Sequence, residues 1–83
     1  MSNKEKILLT FNINEISLEY IYVLEDELEV ALKQGKAGEV DGHEISDDYT
    51  GKIFLYGSDK KGLLQAIKSV LEKDEFSKIK VII

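Results

Sequence analysis

The residues best suited to chemistry lie between Gly38 and Asp59, a stretch that contains the only histidine of the chain. Imidazole and carboxylate groups can bind zinc, manganese or iron, and the candidate ligands are Asp41, His43, Glu44, Asp47 and Asp48. Alternate residues of a strand point to opposite faces, so His43 and Glu44 cannot both reach one compact ion. The spacing also lacks the D-x-D-x-D-G pattern of calcium loops. The sequence therefore predicts a solvated acidic hairpin, with no metal ion and no cofactor.

A second chemistry open to His43 is general acid–base catalysis, with Asp41 or Glu44 orienting the imidazole. Asp41 and His43 are two residues apart, and we expect them to share one strand face. The chain has no cysteine, and no serine lies in a G-x-S-x-G turn, so the sequence indicates no nucleophile. A small-ligand-binding or enzymatic domain centred on His43, Asp41 and Tyr56 is therefore kept as the alternative function.

The segment from Gly57 to Gly62 could hold a phosphate, because a glycine turn before a helix can present backbone N–H groups and two lysines to an anion. Its spacing matches neither of the common glycine-rich phosphate-binding motifs. Asp59 would also repel the anion. Capping of a helix by Ser58 or Asp59 explains the same residues more simply.

Two aromatic residues, Phe54 and Tyr56, alternate with Ile53 and Leu55 along one predicted strand. If Ile53 and Leu55 face the core, Phe54 and Tyr56 lie on the opposite, open face. Aromatic residues in such places stack on bases in some RNA-binding domains, but the characteristic RNA-binding motifs are absent here. The pattern favours a protein partner or self-association through the open sheet face, with a homodimer as one form.

Hydrophobic periodicity predicts which elements position these side chains. Period-two alternation indicates strands, and apolar residues at i, i+3 and i+4 indicate helices. Ser17 is expected to cap the first helix and Gly35 to end it in a left-handed conformation. The predicted elements are strands over Lys6–Ile13, Gly38–Ser46, Lys52–Tyr56 and Lys78–Ile83, a hairpin loop over Asp47–Gly51, and helices after Ser17 and after Ser58 or Asp59.

The order β-α-β-β-α-β predicts a single α+β domain over residues 1–83. Two helices with one apolar stripe each must cover one face of a four-stranded antiparallel sheet, which is the ferredoxin-like sandwich with strand order 4-1-3-2. Gly42 leaves two possibilities for the second strand. It either forms a bulge in a continuous strand or turns a tight hairpin together with Asp41.

The composition narrows the classes of partner. Sixteen acids and eleven lysines give a net charge of -5, and arginine is absent, so the sequence predicts no nucleic-acid binding. The first residues include only a short apolar run, Ile7 to Leu9, which predicts neither a signal peptide nor a membrane span. Without cysteine there is no disulfide framework, and a cytoplasmic location is expected.

Three segments, G-E-V-D-G-H-E-I, I-F-L-Y-G-S-D and L-L-Q-A-I-K-S-V-L, make the chain resemble a group of small bacterial ferredoxin-like proteins that have no known activity. These proteins share a D-G-x-E strand and a Y-G-x-D strand exit. Ser58 stands where a proline would be expected after Gly57. The resemblance implies that six residues belong to one shared feature, structural or functional: Asp41, Gly42, Glu44, Tyr56, Gly57 and Asp59.

These patterns lead to one functional expectation. The chain is predicted to be a non-enzymatic interaction or regulatory domain that uses its acidic hairpin and open sheet face. Clustered carboxylates can mimic phosphates and attract basic proteins, as in small acidic inhibitors of nucleases, so an immunity- or antitoxin-like role is its most specific form. The candidate binding residues are Asp41, His43, Glu44, Asp47, Asp48, Phe54, Tyr56 and Asp59.

Overall fold

The structure is a computed structural model that describes residues 5–82. Its elements, in chain order, are β1 (Glu5–Asn12), α1 (Leu18–Gln34), β2 (Gly38–Ile45), β3 (Thr50–Gly57), α2 (Lys60–Leu71), a short 3₁₀ helix (Asp74–Phe76) and β4 (Lys80–Ile82). The strands form one antiparallel sheet in the order β2-β3-β1-β4. The predicted ferredoxin-like α+β sandwich is therefore confirmed. No helix within residues 5–82 is long and apolar enough to cross a membrane.

The core lies between one face of the sheet and the two helices. Alternate residues of β1 and β3 are buried, and the helices contribute residues at helical spacing, because each element has a single apolar side. The fully buried side chains are Ile7, Leu9, Ile21, Leu24, Leu28, Leu32, Ile53, Leu55, Leu63, Ile67 and Phe76. Phe76 belongs to the 3₁₀ helix, which the periodicity did not predict because the element is a single turn.

β2 is one continuous strand with a bulge, and the alternative hairpin at Asp41-Gly42 is wrong. Val40 pairs with Leu55, but the next pair is Gly42 with Phe54, so Asp41 is an extra residue. Gly42 has a φ of 141°, a conformation that L side chains rarely adopt. The glycine therefore permits the bulge, and the bulge bends the edge strand.

A glycine pair lets α2 approach the sheet. Gly38 and Gly57 face each other across β2 and β3. A Cβ built on Gly57 would lie 2.8 Å from Leu63 Cδ2 and 2.2 Å from the Ala37 carbonyl oxygen. Leu63 is fully buried in the first turn of α2. The Y-G-x-D strand exit thus has a packing role, since its glycine makes room for this leucine.

The ends of α1 differ from the expectation. Gly35 does follow the helix, but its φ is −85°, so it is right-handed and the prediction of a left-handed Gly35 is wrong. The left-handed residue is Lys36, with a φ of 50°. Ser17 is the N-cap, yet its side chain makes no capping hydrogen bond. The last strand, predicted from Lys78, begins at Lys80, and Ile83 lies outside the described residues.

We predict opposite effects of alanine at two glycines. Gly57→Ala should lower the free energy of unfolding by about 2 kcal/mol, because the added methyl group meets Leu63 and a backbone carbonyl. Gly35→Ala should leave stability unchanged or raise it by about 0.5 kcal/mol, because Gly35 is right-handed and the nearest atom is 3.5 Å away. Urea unfolding measures both. Equal losses in the two variants would contradict this packing.

Candidate functional site

Carboxylates are concentrated in one continuous part of the chain, from α1 to the hairpin after β2. Residues 18–51 contain ten acids and two lysines, whereas the rest of the chain has six acids and nine lysines. Because α1 packs beside the edge strand β2, these acids lie on neighbouring elements. We call them the acidic surface: Glu19, Glu25, Asp26, Glu27 and Glu29 of α1, Glu39, Asp41 and Glu44 of β2, and Asp47 and Asp48 of the hairpin.

The tip of the β2–β3 hairpin is held by local hydrogen bonds. The Ser46 N–H donates to the Thr50 carbonyl oxygen at 2.8 Å, and the Thr50 N–H donates to Asp48 Oδ1 at 3.1 Å. This N–H, helped by the Thr50 hydroxyl, lowers the pKa of Asp48 below its ordinary value of 3.8. Asp47 and Asp48 are exposed. The tip therefore presents two carboxylates in a fixed turn.

Tyr49 follows these acids in the left-handed conformation, with a φ of 68°. A tyrosine in this region is strained by about 1 kcal/mol, which glycine would avoid. Its side chain is 55% exposed, so the strain is not offset by burial in the core. Tyr22 of α1 is exposed to a similar degree. Two tyrosines thus lie among the carboxylates of the acidic surface.

His43 lies on the helix-facing side of β2. It pairs with Ile53, which is fully buried beneath the helices. Its Nδ1 is 2.9 Å from Glu25 Oε1, and its ring meets Tyr22 edge-on with 5.9 Å between the ring centroids. The His43 side chain is 29% exposed. The imidazole therefore links the edge strand to α1, and periodicity could not indicate Glu25 as its partner because the contact spans two elements.

The bulge separates residues that strand alternation would place together. Val40 and His43 both lie opposite buried residues of β3, with Asp41 and Gly42 between them. Asp41 therefore follows Val40 onto the open face, while His43 returns to the helix side, so the expectation that Asp41 and His43 share a face is wrong. Glu44 pairs with Lys52 on the open face. Within residues 5–82, no three histidine or acidic side chains come together as a metal site.

Asp59 serves as the N-cap of α2. Its Oδ1 accepts a hydrogen bond from the Gly62 N–H at 2.5 Å. A shallow depression of about 270 Å³ adjoins it, with Lys36 and Ser58 on its wall. Because the Asp59 carboxylate already occupies the helix N-terminus, it takes the place that a phosphate would need.

Three cross-strand rows that each join three or four strands lie on the open face of the sheet, on the side opposite the core. The central row is apolar and joins Gly42, Phe54, Leu8 and Ile82, one from each strand. The rows on either side are charged or polar: Glu39, Tyr56 and Lys6 form one, and Glu44, Lys52, Thr10 and Lys80 form the other. We use the name open face for these three rows.

Phe54 and Tyr56 are partly covered in this structure. Both are intermediate in exposure, as is Leu8 beside Phe54. The Lys6 ammonium lies 5.8 Å from the centre of the Phe54 ring, within the range of a cation–π contact. On the other side of Phe54, a Cβ built on Gly42 would have no atom within 4 Å. The apolar row therefore has open space at Gly42, where a side chain is missing, and we call this space the hollow. The row ends at Ile82, which is 50% exposed.

Comparison of the chain with protein families, with curated proteins and with solved structures gives no match. The order of the elements and of the strands alone therefore assigns the fold.

We predict that Asp48 titrates below the ordinary aspartate value of 3.8. Because the folded pKa is lowered, the carboxylate stabilises the hairpin fully above the unfolded pKa, and this contribution is lost as the pH falls through the folded pKa. Carboxyl carbon shifts in an NMR titration measure it. Thr50→Val removes the hydroxyl donor but keeps the backbone N–H, so the pKa should rise only part of the way to 3.8. No change in Thr50→Val would contradict the role of the hydroxyl.

Proposed function

We propose that this chain is a non-enzymatic interaction domain that binds a positively charged protein through its acidic surface. The observation that carries the proposal is the concentration of carboxylates on three consecutive parts of the chain, α1, β2 and the hairpin that follows β2. The ten acids of residues 18–51 are accompanied by two lysines only. The negative electrostatic potential of these carboxylates speeds the encounter with a basic partner and disfavours acidic partners.

The hairpin tip supplies the specific part of this surface. Asp47 and Asp48 are exposed beside Tyr49, whose ring projects from a strained turn. Tyrosine is enriched among the residues that contribute most to binding at protein interfaces. Strain retained at an exposed position is consistent with selection for the side chain itself and not for the stability of the turn. Tyr49 is therefore proposed as the apolar anchor between the carboxylates.

The narrowest form of this proposal is an inhibitor of a nucleic-acid-processing enzyme, in the manner of an immunity protein or antitoxin. Carboxylates spread over a helix and a hairpin can occupy a groove that normally binds phosphates. A cytoplasmic location follows from that role. The resemblance to small bacterial proteins with D-G-x-E and Y-G-x-D motifs agrees with it but supplies no activity.

We also propose that the open face is a protein contact surface. An apolar row between two polar rows is the arrangement that interfaces use, with a hydrophobic centre and a polar rim. Phe54, Leu8 and Ile82 form that centre, and Glu44 and Lys80 belong to the rim.

One observation favours the alternative, a small-ligand-binding or enzymatic domain at His43. Glu25 holds the imidazole in one orientation, as carboxylates do for catalytic histidines. The side chain whose ring contacts His43 is that of Tyr22, whereas the sequence had suggested Tyr56 and Asp41 as its neighbours. The same contact also joins β2 to α1, so we rank this alternative second.

We predict that Asp41→Lys/Asp47→Lys abolishes capture of basic proteins from a lysate of the source cell. The pair spares Asp48, whose carboxylate holds the turn. Asp74→Lys/Glu75→Lys is the matched control, because it changes the net charge equally and lies on exposed residues outside the acidic surface. Mass spectrometry of the retained proteins at two salt concentrations is the measurement. Equal retention, or equal loss, by the two variants would contradict the proposal.

Tyr49→Gly should separate stability from binding. Glycine relieves the left-handed strain, so the free energy of unfolding should stay the same or rise by up to about 1 kcal/mol. Binding of the captured basic protein, measured by calorimetry, should weaken at least tenfold, because the anchor is lost. A variant that binds as tightly as the natural chain would show that Tyr49 has no part in recognition.

A further inference from the structure

We infer that the open face is covered by a second copy of this chain, related to the first by a two-fold axis that runs parallel to the strands between the two sheets. This inference deepens the proposal that the open face contacts protein. Of the acidic surface it uses Glu39 and Glu44 only, and none of the carboxylates of α1 or of the hairpin tip. Two sheets that pack face to face keep their strands within about 30° of each other, at a spacing of about 10 Å. The molecule would then have four layers, with the helices outside.

The apolar rows fit each other under this rotation. The axis exchanges left and right across the sheet, so β2 lies over β4 of the other copy and β3 lies over β1. Phe54 then packs on Leu8 of the second copy, and Ile82 enters the hollow at Gly42. Ile82 is exposed in the single chain, and the hollow has room for it. Each copy therefore fills the gap of the other, so the same contact occurs twice in the dimer, as a self-complementary interface requires.

The charged rows decide the direction of the axis. With the axis parallel to the strands, Glu44 lies over Lys80 of the second copy and Tyr56 lies over Lys6. With the axis across the strands, β2 would lie over β2, and Glu39 would face Glu44. The first arrangement pairs opposite charges, whereas the second places like charges together. Charge complementarity thus selects one of the two face-to-face dimers.

The size of the face predicts the strength of the contact. Three rows on four strands cover roughly 20 Å by 19 Å, which is roughly 400 Å² on each copy. A stable interface usually buries about 1,200 Å² or more in total, so this dimer belongs to the weak class. It should form in a concentration-dependent way and exchange with monomers.

Charge reversal tests the arrangement. Sedimentation over a concentration series should show the natural chain in monomer–dimer equilibrium. Glu44→Lys and Lys80→Glu should each weaken the dimer by roughly tenfold, because each turns two attractive contacts into repulsive ones. The double variant Glu44→Lys/Lys80→Glu should return to within about threefold of the natural chain. Glu29→Lys, on the helix side, is the control and should leave the equilibrium unchanged.

Circular dichroism confirms that each variant is folded, and Lys80→Glu provides a second route should Glu44→Lys disturb the edge strand. A protein that remains monomeric at every concentration would overturn the inference. So would a dimer whose dissociation constant is the same in the natural chain, in Glu44→Lys and in Lys80→Glu. Capture of a different protein whose binding protects Leu8 and Ile82 would leave the open face a contact surface while removing the second copy as its occupant. Recovery of the dimer in the double variant would support the open face as a contact surface and the second copy as its occupant.

Discussion

Side-chain alternation along the two central strands is the constraint on which the rest of the structure depends. β1 and β3 turn every second residue toward the helices, and those residues form the centre of the core. Residues 5–82 form two α-helices, which are enough to cover one face of the sheet only. The residues between the buried ones are therefore left on the face that neither helix covers.

The bulge in β2 changes which side chains of this strand lie on each face of the sheet. Without it, His43 would follow Asp41 onto the open face. With it, His43 turns back to α1 and pairs with Glu25, and Gly42 lies opposite Phe54, where Asp41 would otherwise lie. One extra residue thus removes the imidazole from the open face and leaves a hollow in the apolar row. The histidine and the acids of this stretch consequently serve different surfaces, which weakens the case for a common catalytic site.

Periodicity predicted the strands, the helices and most of the core, because these features depend on the pattern of apolar residues. The strand order then followed from the order of the elements and the usual handedness of their connections. It left the bulge open, since Val40 and Ile45 fit either a hairpin or a continuous strand. It placed the left-handed residue at Gly35 instead of Lys36, because glycine preference is only a statistical guide to backbone conformation. The contact of His43 with Glu25, and the strain at Tyr49, depend on tertiary packing and turn geometry, which a single sequence does not encode in a readable pattern.

The most direct test of the central claim, that the open face is where this molecule meets a second copy, is a dilution series of methyl NMR spectra. The methyl signals of Leu8 and Ile82 should shift with protein concentration, because both residues lie in the apolar row. Val23 and Val30, which are exposed on α1, should keep constant shifts. Constant shifts at Leu8 and Ile82, or shifts confined to the valines of α1, would contradict the claim.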